Sequence, residues 1–333
     1  MRNVDIRTSR YDHVPHRVVV VGGGIAGLYF TYRLLSAARE VEVVLVDPKD
    51  YHEFIVGVPM AVAGLVEFKD LLFPFRQLTK AKFVKARVAA IDERCARPAE
   101  GSGPICGDYL VLAPGALHIG SAQYWSVEGS AAIAQAAAGA KAVRFIVNEL
   151  TPVAGFQELA YAIKSRWPEK EVSIHVVYIG EDYRSFMEVG KRWAQEIGLE
   201  MSDEPPPWRP DELYIKVPAA RPHPLAAGLE VDPTTFETQY ERVYLIGDSS
   251  LLKLGLPPIG WGALWQAATL AKAIAKELES GVFEVEAESW LAEGDKEKFL
   301  QWMVYRMTSG TPVIHLKGLY DLWRGQVWRF LSA

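Results

Sequence analysis

Apolar runs and stretches of helical apolar spacing alternate along this chain. Arg17 to Val21 is a continuous apolar run after its first residue, as a strand buried between parallel neighbours should be. Ile25 to Ala38 follows with the spacing of an amphipathic helix, and Val41 to Val46 is the next strand. Together they predict one βαβ unit. Phe83 to Ile91, the stretch around Cys95, and Ile105 to Leu112 read as a small antiparallel excursion, broken by the turn residues Ala99-Glu100-Gly101-Ser102-Gly103. A second α/β set is predicted from Lys141 to Met201. Its strands are Val143 to Val147 and Val172 to Ile179, and its helices are Phe156 to Trp167 and Ser185 to Ile197. Pro205 to Pro210 reads as a rigid loop. The chain then returns to a strand, Arg242 to Ile246, and a long helix, about Gly262 to Glu279.

Composition narrows this picture only in places. At 333 residues, half of them hydrophobic, the chain is long enough for about two domains with a sizeable core. A net charge of −5 gives no reason to expect nucleic acid. The polar segment Met1 to Arg17 lacks the apolar core of a signal peptide. Phe54 to Val66, the longest nearly uncharged apolar stretch, is too short to span a bilayer. A cytoplasmic location follows as the expectation, with attachment to the inner face of the cell membrane as the furthest departure. Two cysteines, Cys95 and Cys106, cannot make a disulfide framework or a thiolate metal cage, and no other residues stand at metal-ligand spacing.

The chemistry starts at the first turn. Gly22, Gly24 and Gly27 stand in G-x-G-x-x-G spacing between the first strand and its helix. Gly22 suits the tight turn, Gly24 the approach of a pyrophosphate, and Gly27 close helix–strand packing. Ile25 and Ala26 begin the helix, whose N-terminal N–H groups suit phosphates. Asp47, 20 residues after Gly27, ends the second strand where a carboxylate accepts from ribose hydroxyls, with Pro48 and Lys49 beside it. This constellation predicts a dinucleotide site.

Two later segments point to FAD. Tyr109 to Leu112 runs into Ala113-Pro114-Gly115, and Tyr244-Leu245-Ile246 into Gly247-Asp248, followed by Ile259-Gly260 and a helix. They resemble the two-dinucleotide-binding-domain flavoproteins, the FAD-dependent pyridine nucleotide-disulfide oxidoreductase superfamily. That resemblance implies an α/β fold of two Rossmann-like, glutathione-reductase-like domains. Residues 1–120 and 232–282 would form the FAD domain, 121–231 a shortened second domain, and 283–333 a C-terminal helical, membrane-facing tail. It implies that Asp248 binds the ribityl chain, that the helix after it points its N-terminus at the flavin, and that Val88 joins the cofactor contacts.

Two branches are closest. Asp47 to Phe54 resembles a "D-x-x-x-Y-H-x-F" stretch of type II NADH dehydrogenases, and Pro257-Pro258 with Gln266 resembles their quinone-side motif. Gly260 and Trp261 stand where Ala and Gln are expected, and Trp265 where the first paired Gln is. Trp261, Trp265 and Gln266 are therefore the candidate acceptor contacts. The strand Val143 to Val147, however, is followed by Asn148 to Phe156, a turn with one glycine and with Pro152 in place of an N–H donor. That turn is similar to sulfide:quinone oxidoreductases, as is the loop-rich stretch Leu213 to Val231. Yet no cysteine follows Cys106, so the thiolate relay of that branch is missing. The expected activity is electron transfer from a small-molecule reductant through FAD to a quinone or similar acceptor. The alternatives are a type II NADH dehydrogenase with a degenerate NADH site and a non-catalytic FAD-binding partner protein.

Three readings concern smaller features. From Phe299 to Leu331 an apolar face (Leu316, Leu319 or Tyr320, Trp323, Val327, Phe330) interleaves with Arg306, Lys317, Arg324 and Arg329. It suits a membrane surface, a homo-oligomer contact or core packing. His52 suits either a contact to FAD or a loop cap, and Glu158 either a proton carrier or a solvated helix face. Cys95 and Cys106 are symmetric about the Glu100–Gly101 junction, so strands paired about that turn would oppose them with Cα atoms about 4.5–5.5 Å apart and bridge them. The alternative is two buried free thiols.

Overall fold

The computed structural model describes residues 15–101, 103–120, 125–153, 155–181, 191, 194–195, 198–285 and 312–333. Its larger sheet is parallel and contains β1 (His16–Val21), β2 (Val41–Asp47), β5 (Lys82–Lys85), β9 (Tyr109–Leu112) and β16 (Val243–Leu245), in the order β16-β9-β1-β2-β5. The late strand β16 thus completes a sheet begun 227 residues earlier, at His16. β1, β2, β9 and β16 carry apolar residues on both faces because both are covered, while the edge strand β5 leaves Lys82 and Lys85 exposed. Val18, Val20, Val43, Leu45 and Val111 face helices α1 (Ile25–Ala37) and α6 (Gly260–Ser280), which pack on each other. Val19, Val21, Val44, Val46, Leu110 and Leu112 face Val88, Ala96, Ala226 and Leu229. Each such buried side chain contributes about 1.5–3 kcal/mol over an exposed one.

The second cover is the antiparallel excursion, β6 (Val88–Asp92), β7 (Cys95–Pro98) and β8 (Ile105–Cys106). The sequence pattern joined β5 to β6 and β8 to β9, and the structure separates them. Ala86 leaves the sheet with its N–H donated to Asp47 O, and Gly107-Asp108 returns the chain, Asp108 accepting from the Arg17 N–H at 2.8 Å. Only the middle pieces form the excursion. Cys95 and Cys106 are directly paired in register, with Cα atoms 4.0 Å apart, and form a disulfide, as the symmetry about the turn predicts. Ser102 of that turn lies outside the described residues. Neither cysteine is buried, so the alternative of two buried thiols does not hold.

The second sheet is also parallel, with β11 (Ala142–Glu149), β12 (Glu171–Ile179), β13 (Glu200–Ser202) and β14 (Leu213–Lys216) in the order β13-β12-β11-β14. Helix α3 (Val127–Gly139) precedes it, and α4 (Phe156–Arg166) follows β11. The predicted helix Ser185 to Ile197 falls mostly outside the described residues. The stretch expected as loop, Leu213 to Val231, instead contributes β14 and β15 (Ala219–Pro222). β15 pairs antiparallel with β10 (Ala116–Ile119), the strand that leaves the larger sheet after β9. Phe54 to Val66 folds into a 3-10 turn and α2 (Val58–Val62), lying beside the small hairpin β3 (Tyr51–Glu53) and β4 (Leu72–Pro74). Helix α5 (Asp248–Lys253) connects β16 to α6.

The tail enters as α7 (Pro312–Leu322) and continues through a wide π turn, Trp323–Trp328, into α8 (Arg329–Ser332). Its apolar face is spent on packing. Leu319, Tyr320, Trp323, Val327, Trp328 and Leu331 are buried in the main core, while Lys317, Arg324 and Arg329 are exposed. Core packing therefore accounts for the stripe where it is described. Phe299 to Thr311, with Trp302 and Arg306, and the side chain of Leu316 lie outside the described residues. Among the described residues no helix is long and apolar enough to cross a membrane.

Candidate functional site

The glycine turn is built as its spacing requires. Gly22 sits at φ +105°, donates its N–H to Val46 O at 2.8 Å, and has no room for a side chain because Ala113 O stands where a Cβ would be. A Cβ on Gly27 would overlap Gly22 O, so this glycine sets how closely α1 approaches the strand end. Gly24 faces open space, with nothing within 4 Å of a built Cβ. It caps α1 without a side-chain acceptor, so the first N–H groups of the helix remain for an anion. Asp47 closes the turn from below. Its carboxylate accepts from Gly23 N at 2.7 Å and Lys49 N at 2.8 Å. Burial raises its pKa, and those two N–H groups oppose the rise.

The second wall comes from the far end of the chain. Gly247, at φ +79°, turns β16 into α5 and presents Asp248. Burial pushes the Asp248 carboxyl up to about 6, and it has no hydrogen-bond partner among the described residues. Gln266 holds this turn from behind: its Oε1 accepts from Gly247 N at 2.8 Å and its Nε2 donates to Ser250 Oγ at 3.0 Å. Ser249 Oγ donates to Gly115 O and accepts from His223 N, tying the Gly247 turn to the turn after β9. Helix α6 starts at Gly260 with no side-chain cap.

These pieces enclose one cavity of about 720 Å³. Gly22, Gly24, Ile25 and Ala26 line one end, with Asp47, Pro48, Lys49 and Val88 beside them. Ala113, Pro114 and Gly115 lie along its length, facing Gly247, Asp248, Ile259, Gly260 and Trp261. Glu158 lines it from α4, and burial raises its pKa, opposed by a hydrogen bond from its own backbone N–H. Its position on the cavity wall corrects the solvated-face alternative. Among the lining residues that sequence reasoning missed are Arg87, His118 and Trp125. Burial lowers the pKa of His118, and that of His223, which also lines the cavity. The only sequence signal of His118 is its nearness to the Ala113–Gly115 turn.

Four candidates do not reach the cavity. Gly27 packs behind the turn. Gln266 is fully buried, with its amide turned onto the Gly247–Ser250 turn. Trp265 meets Phe236 edge-on at 5.4 Å. His52 is buried beneath the glycine turn, with Nδ1 2.8 Å from Gly23 O and its ring stacked on Trp323 at 5.0 Å. Burial lowers its pKa to about 4, so it is neutral, donating from Nδ1 and unable to reach a cofactor. Among the described residues no group of three His, Cys, Asp or Glu could hold a metal ion.

The residues present fit a dinucleotide. The Gly22 and Gly27 positions exclude any Cβ, Gly24 leaves open approach, and a partnerless carboxyl, Asp248, faces the same cavity.

Comparison with known proteins agrees with this geometry. No family model matches the chain. The type II NADH:quinone oxidoreductase of Staphylococcus saprophyticus is 35% identical over 104 residues, which cover 30% of this chain and 26% of that protein. The Staphylococcus aureus protein of the same name is 32% identical over the same length. The match thus spans about a quarter of the length of these relatives. Solved structures match over more of the chain. The sulfide:quinone oxidoreductase of Aquifex aeolicus superposes with a TM-score of 0.61 over 96% of both chains at 14% identity. The NAD-dependent persulfide reductase from A. fulgidus gives 0.58 over 81% of this chain and 60% of its own at 20% identity. The NADH:rubredoxin oxidoreductase from Clostridium acetobutylicum gives 0.59 over 82% and 77% at 14% identity. The chain has the two-domain α/β fold of these solved oxidoreductase structures.

Proposed function

We propose that this protein is an FAD-dependent oxidoreductase that passes electrons from a small reductant to a quinone or similar acceptor. The observation that carries this reading is the single cavity running from the Gly22–Gly27 turn to Asp248, the α6 N-terminus and Glu158. FAD, when bound, supplies the redox chemistry. The chain supplies the rest. Gly22, Gly24 and the N-terminus of α1 would take the pyrophosphate, Asp47 the ribose hydroxyls and Asp248 the ribityl hydroxyls. The uncapped start of α6 favours negative charge on the reduced ring. Glu158, its pKa raised by burial, would hold a proton beside the flavin. Residues 1–120 and 232–282 would carry FAD, and 121–231 the reductant side.

The quinone half of the reading is supported by the quinone oxidoreductases among the relatives and by Trp261, the one acceptor candidate on the cavity wall. The sulfide relay is not proposed. Cys95 and Cys106 are bonded to each other, and neither lines the cavity. A type II NADH dehydrogenase is the second reading, favoured by the 35% match and opposed by the β11–α4 turn.

The test is stopped-flow reduction of the purified yellow protein by NADH and by sulfide, followed by reoxidation with a soluble quinone. Flavin bound without a covalent link, slow with NADH and reoxidised by quinone, is the expected result. Protein that binds no FAD would overturn the reading, and fast saturable reduction by NADH would favour the second one.

A further inference from the structure

The second Rossmann unit keeps its architecture and loses its nucleotide turn. With strand order β13-β12-β11-β14, the switch point lies beyond the C-terminal end of β11, where a dinucleotide would dock. The chain there is already paired. Val153 N donates to Pro218 O at 2.9 Å, Ala220 N to Thr151 O at 2.7 Å, and Thr151 Oγ1 to Ala220 O at 2.9 Å. Pro152 bridges antiparallel to Ala219 and has no N–H to offer. These links extend the β10–β15 pair into a clasp that uses the backbone groups a pyrophosphate would need.

Trp125 stands in front of the clasp. The benzo edge of its indole lies against the Cα of Gly155, which caps α4 at φ +88°. Any Cβ on Gly155 would overlap Cη2 and Cζ2 of that ring, so the glycine here makes room for the tryptophan and not for a phosphate. Glu158, three residues further on the same helix face, sets its carboxyl on its own N-terminal N–H. An incoming pyrophosphate would meet an aromatic edge and an acid. Trp125, Gly155, Glu158 and His118 all lie on the wall of the main cavity.

We propose that Trp125 is a specificity-determining residue: it plugs the second dinucleotide cleft and reserves the compartment beside Glu158 and His118 for a small, planar, phosphate-free hydride donor. This rests on the FAD reading of the first cleft. With FAD bound, the cofactor would take the hydride and both electrons as the C–H bond of the donor breaks, and the donor would leave as its oxidised cation. An N-alkyl dihydropyridine is a donor of this class that needs no further co-reactant.

The experiment uses the FAD-loaded protein, so that the Gly22 turn is filled, and its variants Trp125→Ala and Trp125→Phe. Flavin absorbance is scored first. ADP-ribose is then titrated by calorimetry, and flavin reduction is followed with NADH and with N-benzyl dihydronicotinamide, which has the same reacting ring without phosphates. The unaltered protein should bind no ADP-ribose and should react faster with the benzyl compound than with NADH by roughly a hundredfold. Trp125→Ala should gain ADP-ribose affinity and narrow that ratio, each by roughly tenfold. Trp125→Phe, which keeps a ring against Gly155 and guards against loss of fold, should change both far less. Equal rates with the two donors in the unaltered protein would overturn the proposal. So would Trp125→Ala or Trp125→Phe protein, folded and yellow, in which Ala binds ADP-ribose no better than Phe. A colourless protein that takes up no FAD would overturn the first-cleft reading and this one with it, a failure visible before any reductant is added.

Discussion

Replacing Asp248 with Asn separates the cost of the empty site from its benefit when filled. In the FAD-free protein the carboxyl faces the cavity without a partner, and burial raises its pKa from 3.8 to about 6. A folded pKa above the unfolded one means that the folded state holds more protons between those values. Stability therefore falls as pH rises from about 4 to about 6 and stays lowered above that window. The interval corresponds to about 3 kcal/mol at about 1.4 kcal/mol per pH unit. Asp248→Asn removes the charge, so the FAD-free variant should be more stable than the parent near pH 8, by up to about 3 kcal/mol, and little changed near pH 4. With FAD the order should reverse. The carboxylate then accepts charge-assisted hydrogen bonds, worth about 1.5–3 kcal/mol, and the amide does not. FAD affinity should fall by roughly ten- to a hundredfold. Thermal denaturation with and without FAD at both pH values, with a flavin-fluorescence titration, reads all of this. An Asn variant that is less stable than the parent near pH 8 without FAD, or that binds FAD as tightly, would refute the argument.

Other consequences are equally open to measurement. Gln266→Leu should leave the buried Gly247 N–H unpaired, costing about 1–3 kcal/mol in thermal or denaturant unfolding and weakening FAD through the loosened Asp248 turn. Glu158→Gln should cut quinone reduction by roughly a hundredfold or more while leaving NADH exclusion intact. The parent should lose rate as rising pH deprotonates Glu158, and the pH profile of the variant should lack that limb. Thiol titration should find no free thiol until the Cys95–Cys106 bond is reduced, after which stability should fall by up to roughly 3 kcal/mol for so short a loop.

What the sequence made legible was local. Gly22, Gly24, Gly27 and Asp47 sit within one βαβ unit, so spacing alone places them, and Cys95 and Cys106 flank one turn. What it hid depends on long-range contact. Periodicity predicts a helix at about 262–279, but Gln266 and Trp265 point away from the cavity that Trp261 lines, a difference of phase relative to distant neighbours. His118 and Trp125 bear no motif and matter only because β10 pairs with β15 and α4 begins beneath the indole. β14 and β15 are short and look like loop. They become strands because β11 and β10 offer them backbone partners.

The tail shows the same limit most sharply, because its pattern fits two different solvents. A row of apolar side chains at helical spacing states only that something apolar covers it, and a bilayer and a protein core read alike in sequence. Here the cover is the core itself, and the contact carries inward to the nucleotide turn. Trp323 stacks on His52 at 5.0 Å and meets Phe54 at 5.2 Å and Tyr29 at 6.2 Å. His52 in turn donates to Gly23 O from the ring nitrogen that faces the turn. Among the described residues its other nitrogen and the Trp323 Nε1 are buried without partners, a cost of about 1–3 kcal/mol each that close aromatic packing must offset. The carbonyl of Gly23 is thereby held by His52, and the start of α1 at Gly24 faces the cavity. A stripe that sequence alone leaves open between a membrane and a core thus packs beneath the backbone of the glycine turn, with His52 between Trp323 and Gly23 O.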